Sequence, residues 1–309
     1  MSSKIPKLAS GIPKLGFGSG TYYFKYGNDT IDENLVSILT KALTSGVTHI
    51  DSAECYNTDY EVAKAIKQSK LPRSDIWITD KYFAGDSSYT VKSKEDDPYH
   101  HLVAALKRLD TPYVDLYLIH SPFIKTDVHG FDLSKAWGFM ERCKKEGLAK
   151  HIGVSNFGVE DLKVIIDKKD SLPIEFNQIE FNAFLQNQTP GVVEFCKENN
   201  IQLEAYSPLG PLYKGDLKTG VGKLFDEYLD TLVKKYNRSK TQILLHWVAA
   251  IGIVPITTTS KESRLAEFLE VFEGFELTPE EVEKITEIGK SYKPVLRQYW
   301  KPEYSKYDS

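Results

Sequence analysis

The chain has 309 residues, a length that suits one α/β barrel or two smaller domains, either of which can bury a large core. Hydrophobic residues make up 41% of it, and 39 basic against 43 acidic residues give a net charge of −4, which argues against a nucleic-acid partner. Three widely spaced cysteines and the lack of any apolar run near the ~20 residues of a membrane span predict a cytoplasmic protein without disulfides, metal sites or a membrane anchor.

The first predicted elements are a small hairpin and a glycine-rich strand end. Lys4–Leu8 and Ile12–Leu15 flank a short Ala-Ser-Gly segment, a pattern typical of a hairpin with a glycine turn. The strand Leu15–Gly18 then runs into a G-x-G-x-G sequence that ends at Gly20. No helix opens directly after these glycines, so they do not match the dinucleotide fingerprint of a Rossmann fold.

The first helix is predicted from a capping box and a helical stripe. Thr30 and Glu33 have the spacing of a capping box, apolar residues follow at helical spacing from Leu35 to Leu43, and Gly46 ends the helix.

Apolar, strand-like runs then alternate with helical stretches along the rest of the chain. With Leu15–Gly18, the predicted strands number eight: His49–Ala53, Ile76–Thr79, Val114–Ile119, His151–Val154, Glu175–Glu180, Ile201–Ala205 and Ile253–Ile256. Helical stretches are predicted near 59–70, 99–109, 133–146, 159–168, 190–199, 223–236 and 261–270. This alternation predicts an α/β fold, a (β/α)8 TIM barrel, with a doubly wound sheet as the alternative.

The C-terminal part adds an extra helix and a tail to this barrel. Thr278 and Glu281 form a second capping box, and an aromatic, irregular tail follows Pro294. The tail is either frayed or folded over a pocket mouth. No linker rich in proline, glycine or serine divides the chain, so we expect one domain over residues 1–309. The neighbouring His100 and His101 are predicted to be surface residues of a helix.

Four ionisable residues follow three consecutive predicted strands. Asp51 and Tyr56 come at the end of the second strand, Lys81 after the third and His120 after the fourth. Taken alone, Asp51 and Tyr56 have a second interpretation that is about as good as a functional one: Asp51 is an acid paired with a nearby residue, and Tyr56 is a tyrosine in a turn. Because consecutive barrel strands are neighbours, the four side chains are expected to converge at the C-terminal rim, where barrel enzymes keep their active sites.

The chemistry open to this set is narrow. A lysine within reach of a phenol favours the phenolate, an acid compensates the buried lysine, and a histidine donates to an oxygen. Together they suit protonation of an oxygen that gains negative charge, as a carbonyl does when it accepts hydride. Side chains cannot supply hydride, so a nicotinamide cofactor is implied.

The sequence resembles the aldo-keto reductases over nearly its whole length. The segments that carry the resemblance are GVTHIDSAECY at 46–56, residues 106–122 with YVDLYLIHSP, GVSNF at 153–157, FNQIE at 176–180 and AYSPL at 205–209. The family fold is the (β/α)8 barrel. The resemblance implies that Tyr56 donates a proton to the substrate oxygen, Lys81 lowers its pKa, Asp51 holds Lys81 and His120 orients the carbonyl.

The resemblance also implies NADPH as cofactor and a small carbonyl compound as substrate. The residues expected to bind the cofactor are Ser155, Asn156 and Gln178 at the carboxamide, Tyr206 on the nicotinamide ring, Gly20, Thr21 and Ser207 through Leu209 along the pyrophosphate, and Lys261 and Arg264 at the 2′-phosphate. Tyr22, Tyr23, Phe123 and Trp300 are expected to wall the substrate pocket.

The chain departs from the family pattern at three places. Ile256 replaces the lysine after the strand-eight proline, and about two extra residues precede Arg264. Ser121 replaces a common tryptophan, which predicts a wider pocket, and Asp80 precedes Lys81 where threonine is frequent. This segment resembles fungal members, including those that reduce conjugated polyketones and ketopantoyl lactone.

Two other functions remain open at this point. A binding module on this fold would hold the cofactor and turn over slowly, and an NAD-dependent dehydrogenase would need the doubly wound sheet. Tyr60 and Lys64 fit a Y-x-x-x-K motif, but without a glycine fingerprint they are interpreted as an ordinary helix pair. We expect a monomer or weak dimer.

Overall fold

The computed structural model describes residues 5–25 and 27–308, and within them eight parallel strands close into a barrel. The strands are β1 Gly16–Gly18, β2 His49–Asp51, β3 Trp77–Tyr82, β4 Val114–Ile119, β5 Ala149–Ser155, β6 Phe176–Glu180, β7 Gln202–Tyr206 and β8 Val254–Thr257. Each strand pairs with the next, and β1 also pairs with β8. The barrel prediction is confirmed and the doubly wound alternative is wrong, because an open sheet leaves two unpaired edges.

Helices follow the strands along the described chain. They are α1 Glu33–Ser45, α2 Asp59–Ser69, α3 Pro98–Arg108, α4 Thr126–His129, α5 Leu133–Lys145, α6 Val159–Ile166, α7 Val192–Glu198, α8 Gly210–Lys214, α9 Gly220–Tyr236, α10 Lys240–Ala250, α11 Glu262–Leu269, α12 Pro279–Lys290 and α13 Lys301–Tyr304. The extra C-terminal helix is α12, which begins at the predicted capping box of Thr278 and Glu281.

The barrel interior is apolar at one end and polar at the other. An apolar cluster that includes Trp77, Leu116, Leu118 and Phe176 fills the lower interior, and Ile12 of the N-terminal turn packs into it. Side chains along a strand alternate between its two faces. On β3, Trp77 and Lys81 therefore both face the interior, with Lys81 nearer the C-terminal end. On β4, Leu118 faces the interior, and so does His120, the residue directly after the strand.

The predicted hairpin is smaller than expected. Lys7 and Pro13 form a single antiparallel bridge, and Leu8 and Ile12 share a backbone hydrogen bond across the turn. Gly11 has φ +89°, the left-handed conformation that such a turn requires and that glycine adopts freely. Lys4, where the first arm was predicted to begin, lies outside the described residues.

Two predicted helix starts are wrong by two residues. The N-cap of α1 is Asp32, whose carboxylate accepts from the backbone N–H groups of Asn34 and Leu35, and not Thr30. The N-cap of α7 is Gly191 with φ +72°, so Pro190 precedes the helix instead of occupying its first turn. The strand β3 extends to Tyr82, which places Lys81 inside the strand rather than after it.

The helix α10 is missing from the sequence prediction. Its buried residues run from Gln242 to Val248 without a polar stripe, and it contacts α9, α11, α12 and β8. A helix that is buried on most sides has no 3.6-residue alternation for a pattern search to find. None of the described helices, α10 included, combines the length and apolar character that crossing a bilayer requires.

The prediction that His101 lies on the surface is also wrong. Its side chain is fully buried, and its Nδ1 lies 2.7 Å from the hydroxyl of Tyr117, which itself donates to the carbonyl oxygen of Pro98. Burial, followed by the charge of Arg108, lowers the pKa of His101 to about 3. His101 is therefore a neutral donor buried between α3 and β4, whereas His100 is exposed.

The N-cap of α1 gives a direct test of the corrected helix start. Replacing Asp32 by alanine removes the acceptor for two backbone N–H groups and is expected to lower the free energy of unfolding by about 1 kcal/mol. The matched control Thr30→Ala should stay within about 0.5 kcal/mol of the wild type in urea unfolding. A larger loss for Thr30→Ala than for Asp32→Ala would contradict the assignment.

Candidate active site

A cavity of about 710 Å³ opens at the C-terminal ends of the strands. This volume is typical of a site for a small molecule or cofactor. Its lining includes Gly18, Gly20, Thr21, Tyr22, Phe24, Asp51, Tyr56, His120, Asn156, Gln178, Tyr206, Ser207, Pro208, Leu209, Gly210, Tyr213, Lys214, Ile256, Thr257, Thr258, Arg264, Gln298, Tyr299 and Trp300.

A buried ion pair lies at the floor of this cavity. The Lys81 amine donates to the carboxylate of Asp51 at 2.6 Å and to the backbone carbonyl of Ser52 at 2.8 Å. The side chains of Lys81 and Asp51 are 0% and 3% exposed. Because an unpaired buried charge is very costly, each group requires the other, and two of the three N–H bonds of the ammonium are occupied.

Tyr56 and His120 lie next to this pair. Tyr56 ends the 3₁₀ turn Glu54–Tyr56 that follows β2, and its ring centroid is 5.2 Å from the Lys81 amine. The His120 ring meets the Tyr56 ring edge-on, with the centroids 5.8 Å apart. The backbone N–H of His120 donates to the carbonyl of Tyr82, which continues the pairing of β3 and β4. The structure thus brings Asp51, Tyr56, Lys81 and His120 together.

The protonation state of Tyr56 differs from the expectation. Burial, followed by the carboxylate of Asp51, raises the pKa of Tyr56 well above its ordinary value, whereas the sequence predicted that Lys81 would lower it. The reason is geometric, because the Lys81 amine binds Asp51 and Ser52. In this state Tyr56 is a neutral phenol that keeps its proton.

His120 is neutral as well. Burial, followed by the positive charge of Lys81, lowers the pKa of His120 well below its ordinary value. The Cys55 sulfur lies 3.6 Å from His120 Nδ1, and burial raises the pKa of that thiol to about 12. A thiol can donate weakly to Nδ1, which leaves the ring proton on Nε2. The imidazole can then donate to a substrate oxygen.

The amide of Asn156 is fully engaged within the protein. Its Nδ2 donates to the carbonyl of His120 at 2.8 Å and to the Ser155 hydroxyl at 3.1 Å. Its Oδ1 accepts from the Tyr206 hydroxyl at 2.8 Å and from Gln188 Nε2 at 2.9 Å. Asn156 has φ +63°, and this network fixes its side chain directly beside His120.

Gln178 has a different arrangement. Its Nε2 donates to Asp51 at 2.8 Å and to Glu204 at 3.2 Å, so both N–H bonds of the amide are occupied. No hydrogen bond to its side-chain oxygen is found within the described chain, and Gln178 lines the cavity. The hydroxyl of Ser155 donates to the backbone carbonyl of Gln178 at 2.8 Å, and Ser155 is not among the lining residues.

The opposite end of the cavity carries a cation and hydroxyl groups. The Arg264 guanidinium lies 5.8 Å from the ring centroid of Tyr213, and both residues line the cavity. Thr258 Oγ1 is buried and has no partner among the described residues. Lys261 is exposed, forms the N-cap residue of α11 and does not line the cavity. Of the two predicted cations, only Arg264 faces the cavity.

The predicted substrate wall is only partly found. Tyr22 and Trp300 line the cavity, as does Phe24. Tyr23 does not, because it points into the core, where its hydroxyl donates to the carbonyl of Thr259 at 3.4 Å. Phe123 lies outside the lining and packs against Trp300, with the ring centroids 5.5 Å apart.

Ser121 does not widen the cavity in the way the sequence suggested. It is fully buried, it donates to the carbonyl of Gly85 at 2.6 Å and it is not a lining residue.

The C-terminal tail folds over the cavity mouth within the described residues. Glu180 accepts from the backbone N–H groups of Gln298 and Tyr299 at 2.7 and 3.1 Å. The Tyr304 hydroxyl donates to the backbone carbonyl of Asn156 at 2.6 Å. The tail is therefore attached to the end of β6 and to the loop after β5, and Gln298 through Trp300 become cavity wall.

Two buried acids of this site, Glu180 and Glu204, were not predicted from the sequence. Burial raises the pKa of Glu180 to about 7 and that of Glu204 to about 8. The strand period could have found them. Glu180 lies two residues after Gln178 on β6, and Glu204 lies two residues before Tyr206 on β7, so each shares the interior face with a recognised residue.

The lining residues fit a dinucleotide. A Cβ added at Gly20 would lie 2.9 Å from the Tyr56 ring, so glycine is needed where this loop crosses the cavity floor. An aromatic ring at Tyr206, an amide oxygen at Gln178 and a cation at Arg264 are groups that suit a flat ring, a carboxamide and a phosphate.

Comparisons with known proteins agree with this geometry. The sequence profile of the Aldo/keto reductase family matches residues 14–290. An NADPH-dependent alpha-keto amide reductase of Saccharomyces cerevisiae is 45% identical over 307 residues, which cover 99% of this chain and 94% of that protein. An NAD/NADP-dependent indole-3-acetaldehyde reductase of Schizosaccharomyces pombe is 36% identical over 92% of this chain and 94% of its own length.

Solved structures give the same result. An aldo-keto reductase complexed with NADPH superposes with a TM-score of 0.78 at 29% identity, over 99% of this chain and 94% of that one. An aldo-keto reductase of Bombyx mori in complex with NADP superposes with a TM-score of 0.75 at 28% identity, over 93% of each chain.

Stability measurements can test the ion pair at the cavity floor. Lys81→Met keeps the length of the side chain but leaves Asp51 without its cation, and we expect the free energy of unfolding to fall by about 3 kcal/mol or more. Lys150→Met removes a half-exposed partner of Asp115 and should cost less than about 1 kcal/mol. Equal losses in denaturant unfolding would show that Lys81 and Asp51 are not a desolvated pair.

Proposed function

The chain belongs to the aldo/keto reductase family, and from this membership we propose that it reduces a carbonyl compound to an alcohol with NADPH, with Tyr56 as the proton donor. The observation that carries the proposal is the floor of the cavity. There a neutral Tyr56 and a neutral His120 lie beside the Lys81–Asp51 pair, under a cavity large enough for a cofactor and a substrate.

The cofactor would be held along the whole cavity. Gln178 offers a side-chain oxygen to the carboxamide, and Tyr206 offers its ring to the nicotinamide. Asn156 and Ser155 support this end, and an added hydrogen bond to Asn156 would replace one of its present partners. Gly20, Thr21 and Ser207 through Leu209 line the cavity and would bind the pyrophosphate. When bound, the cofactor supplies the hydride.

The protein residues supply a proton to the substrate and stabilise the negative charge that develops during the reaction. His120 donates from Nε2 to the carbonyl oxygen and fixes its position. Tyr56 delivers its proton as negative charge builds on that oxygen, which is general acid catalysis. The third N–H of the Lys81 ammonium then stabilises the phenolate, which explains why a buried cation lies beside a tyrosine. Asp51 keeps the ammonium in place.

The relative from Saccharomyces cerevisiae supports NADPH as the cofactor and a keto amide or a similar carbonyl compound as the substrate. Arg264 and the unpartnered hydroxyl of Thr258 suit a 2′-phosphate, although Ile256 stands where the family places a lysine. The yeast relative is named as an alpha-keto amide reductase. The aromatic side chains of Tyr22 and Trp300 in the cavity lining suit a flat or bulky dicarbonyl compound, such as a keto amide or a conjugated diketone.

Replacement of the proton donor tests the mechanism. Tyr56→Phe keeps the ring and removes only the hydroxyl, so kcat is expected to fall by about 10²–10⁴-fold while NADPH binding persists. The matched control Tyr60→Phe alters an exposed tyrosine of α2 and should leave kcat unchanged. Turnover of Tyr56→Phe near that of the wild type, with alpha-keto amides and diketones as substrates, would exclude Tyr56 as the donor.

Cofactor selectivity is tested by titrating NADPH and NADH in parallel. A charged hydrogen bond to a phosphate contributes about 1.5–3 kcal/mol, so Arg264→Ala should weaken NADPH binding by about tenfold or more and leave NADH binding unchanged. Lys261→Ala should have a smaller effect, because Lys261 lies outside the cavity lining. Equal affinity of the wild type for both cofactors would contradict the phosphate site.

A further inference from the structure

A second buried carboxyl group, that of Glu204, lies inside the barrel close to Asp51. Glu204 of β7 is fully buried, and its Oε2 accepts from Gln178 Nε2 at 3.2 Å. The same nitrogen donates to Asp51 Oδ2 at 2.8 Å. The Gln178 amide therefore donates to two buried acids, Asp51 and Glu204, and of these only Asp51 is paired with a cation, Lys81.

Burial and the neighbouring charge of Asp51 favour the neutral form of Glu204. The titratable groups that face it are Asp51 and His49 of β2 and Lys81 of β3, and Lys81 is committed to Asp51. His49 Nε2 lies 3.9 Å from Glu204 Oε1, but burial lowers the pKa of His49 to about 3, so it provides no countercharge. Glu204 Oε1 has no hydrogen-bond partner in the described part of the chain.

We propose that Glu204 is a positioning residue for carbonyl reduction: as a neutral carboxyl it accepts one N–H of Gln178, so that the Gln178 amide can turn only its oxygen toward the cofactor carboxamide. The inference rests on the proposed function. Without Glu204, Asp51 alone would accept from the Gln178 nitrogen, and the second N–H would have no partner inside the barrel. The amide would then be held in its orientation by one hydrogen bond instead of two, which weakens the acceptor that it offers to the cofactor carboxamide.

The same arrangement makes the reaction sensitive to pH. Burial, followed by the charge of Asp51, raises the pKa of Glu204 to about 8. Ionisation above that pH adds a negative charge near Asp51, which disfavours the phenolate that Tyr56 becomes when it gives up its proton. The rate of reduction is therefore expected to fall as pH rises through about 8.

Two substitutions separate the roles of the carboxyl group. Glu204→Gln keeps an acceptor for Gln178 but cannot ionise, so it should retain NADPH affinity and neutral-pH turnover and lose the decline at high pH. Glu204→Leu removes the acceptor, and we expect NADPH affinity to fall by about tenfold, the loss that corresponds to about 1.4 kcal/mol for one hydrogen bond. Glu198→Gln, at an exposed position of α7, is the control.

Two readouts are independent of turnover. In the cofactor-free protein, the difference between the infrared spectra of the wild type and Glu204→Gln should contain a protonated-carboxyl band at neutral pH, and this band should disappear above the titration of Glu204. The subtraction removes the bands of other buried acids, such as Glu180. The folded-state pKa of about 8 lies above the ordinary 4.5, so the folded protein holds a proton that the unfolded chain releases. Relative to Glu204→Gln, the wild-type melting temperature should fall as pH rises between these two values.

The outcomes are distinguishable from failure of the proposed function. If the wild type reduces carbonyl compounds but Glu204→Leu matches it in NADPH affinity and Glu204→Gln matches it in pH profile, the positioning role is wrong. A difference spectrum without a protonated-carboxyl band at neutral pH would contradict the neutral carboxyl even if Glu204→Leu fails to fold. If the wild type reduces no carbonyl compound, the proposed function fails, while NADPH titration and the infrared band still report on Glu204.

Discussion

The ion pair between Lys81 and Asp51 is the constraint on which the rest of the site depends. An ammonium and a carboxylate without access to water are stable only when they are held in contact and their remaining hydrogen bonds are satisfied. The contact of 2.6 Å, with Ser52 and Gln178 as further partners, meets that requirement. The pair fixes the position of the Lys81 ammonium beside Tyr56. Since that charge stabilises the phenolate, the pair also fixes where Tyr56 can give up its proton.

Barrel closure explains how residues far apart in sequence reach this pair. Strands of a closed barrel present every second side chain to the interior, and the residues at the C-terminal end of each interior row share one rim. Asp51 and Lys81 end such rows on neighbouring strands, and Gln178 reaches them from the opposite side through the interior. Apolar residues fill the lower rows, so the polar groups collect only at the rim.

Much of this arrangement could be predicted from the sequence, and the failures have physical reasons. Apolar runs located the strands, and polar residues at or just beyond the C-terminal ends of those runs located Asp51, Tyr56, Lys81 and His120. Glu204 was missed because site residues were sought only at the ends of the strands, whereas Glu204 lies in the middle of β7. Adjacent tyrosines in the 3₁₀ turn Thr21–Tyr23 project to opposite sides, so Tyr22 lines the cavity and Tyr23 is buried in the core. Because both residues are tyrosines, the sequence does not show which of them lines the cavity.

The most direct test is a crystal structure of the protein with NADP and a carbonyl inhibitor, in which two distances are measured. We expect the carbonyl oxygen to lie within about 2.6–3.2 Å of both the Tyr56 hydroxyl and His120 Nε2, with the nicotinamide ring on Tyr206. A carbonyl oxygen bound beyond hydrogen-bonding reach of Tyr56, with the nicotinamide correctly seated, would contradict the central claim that this phenol delivers the proton.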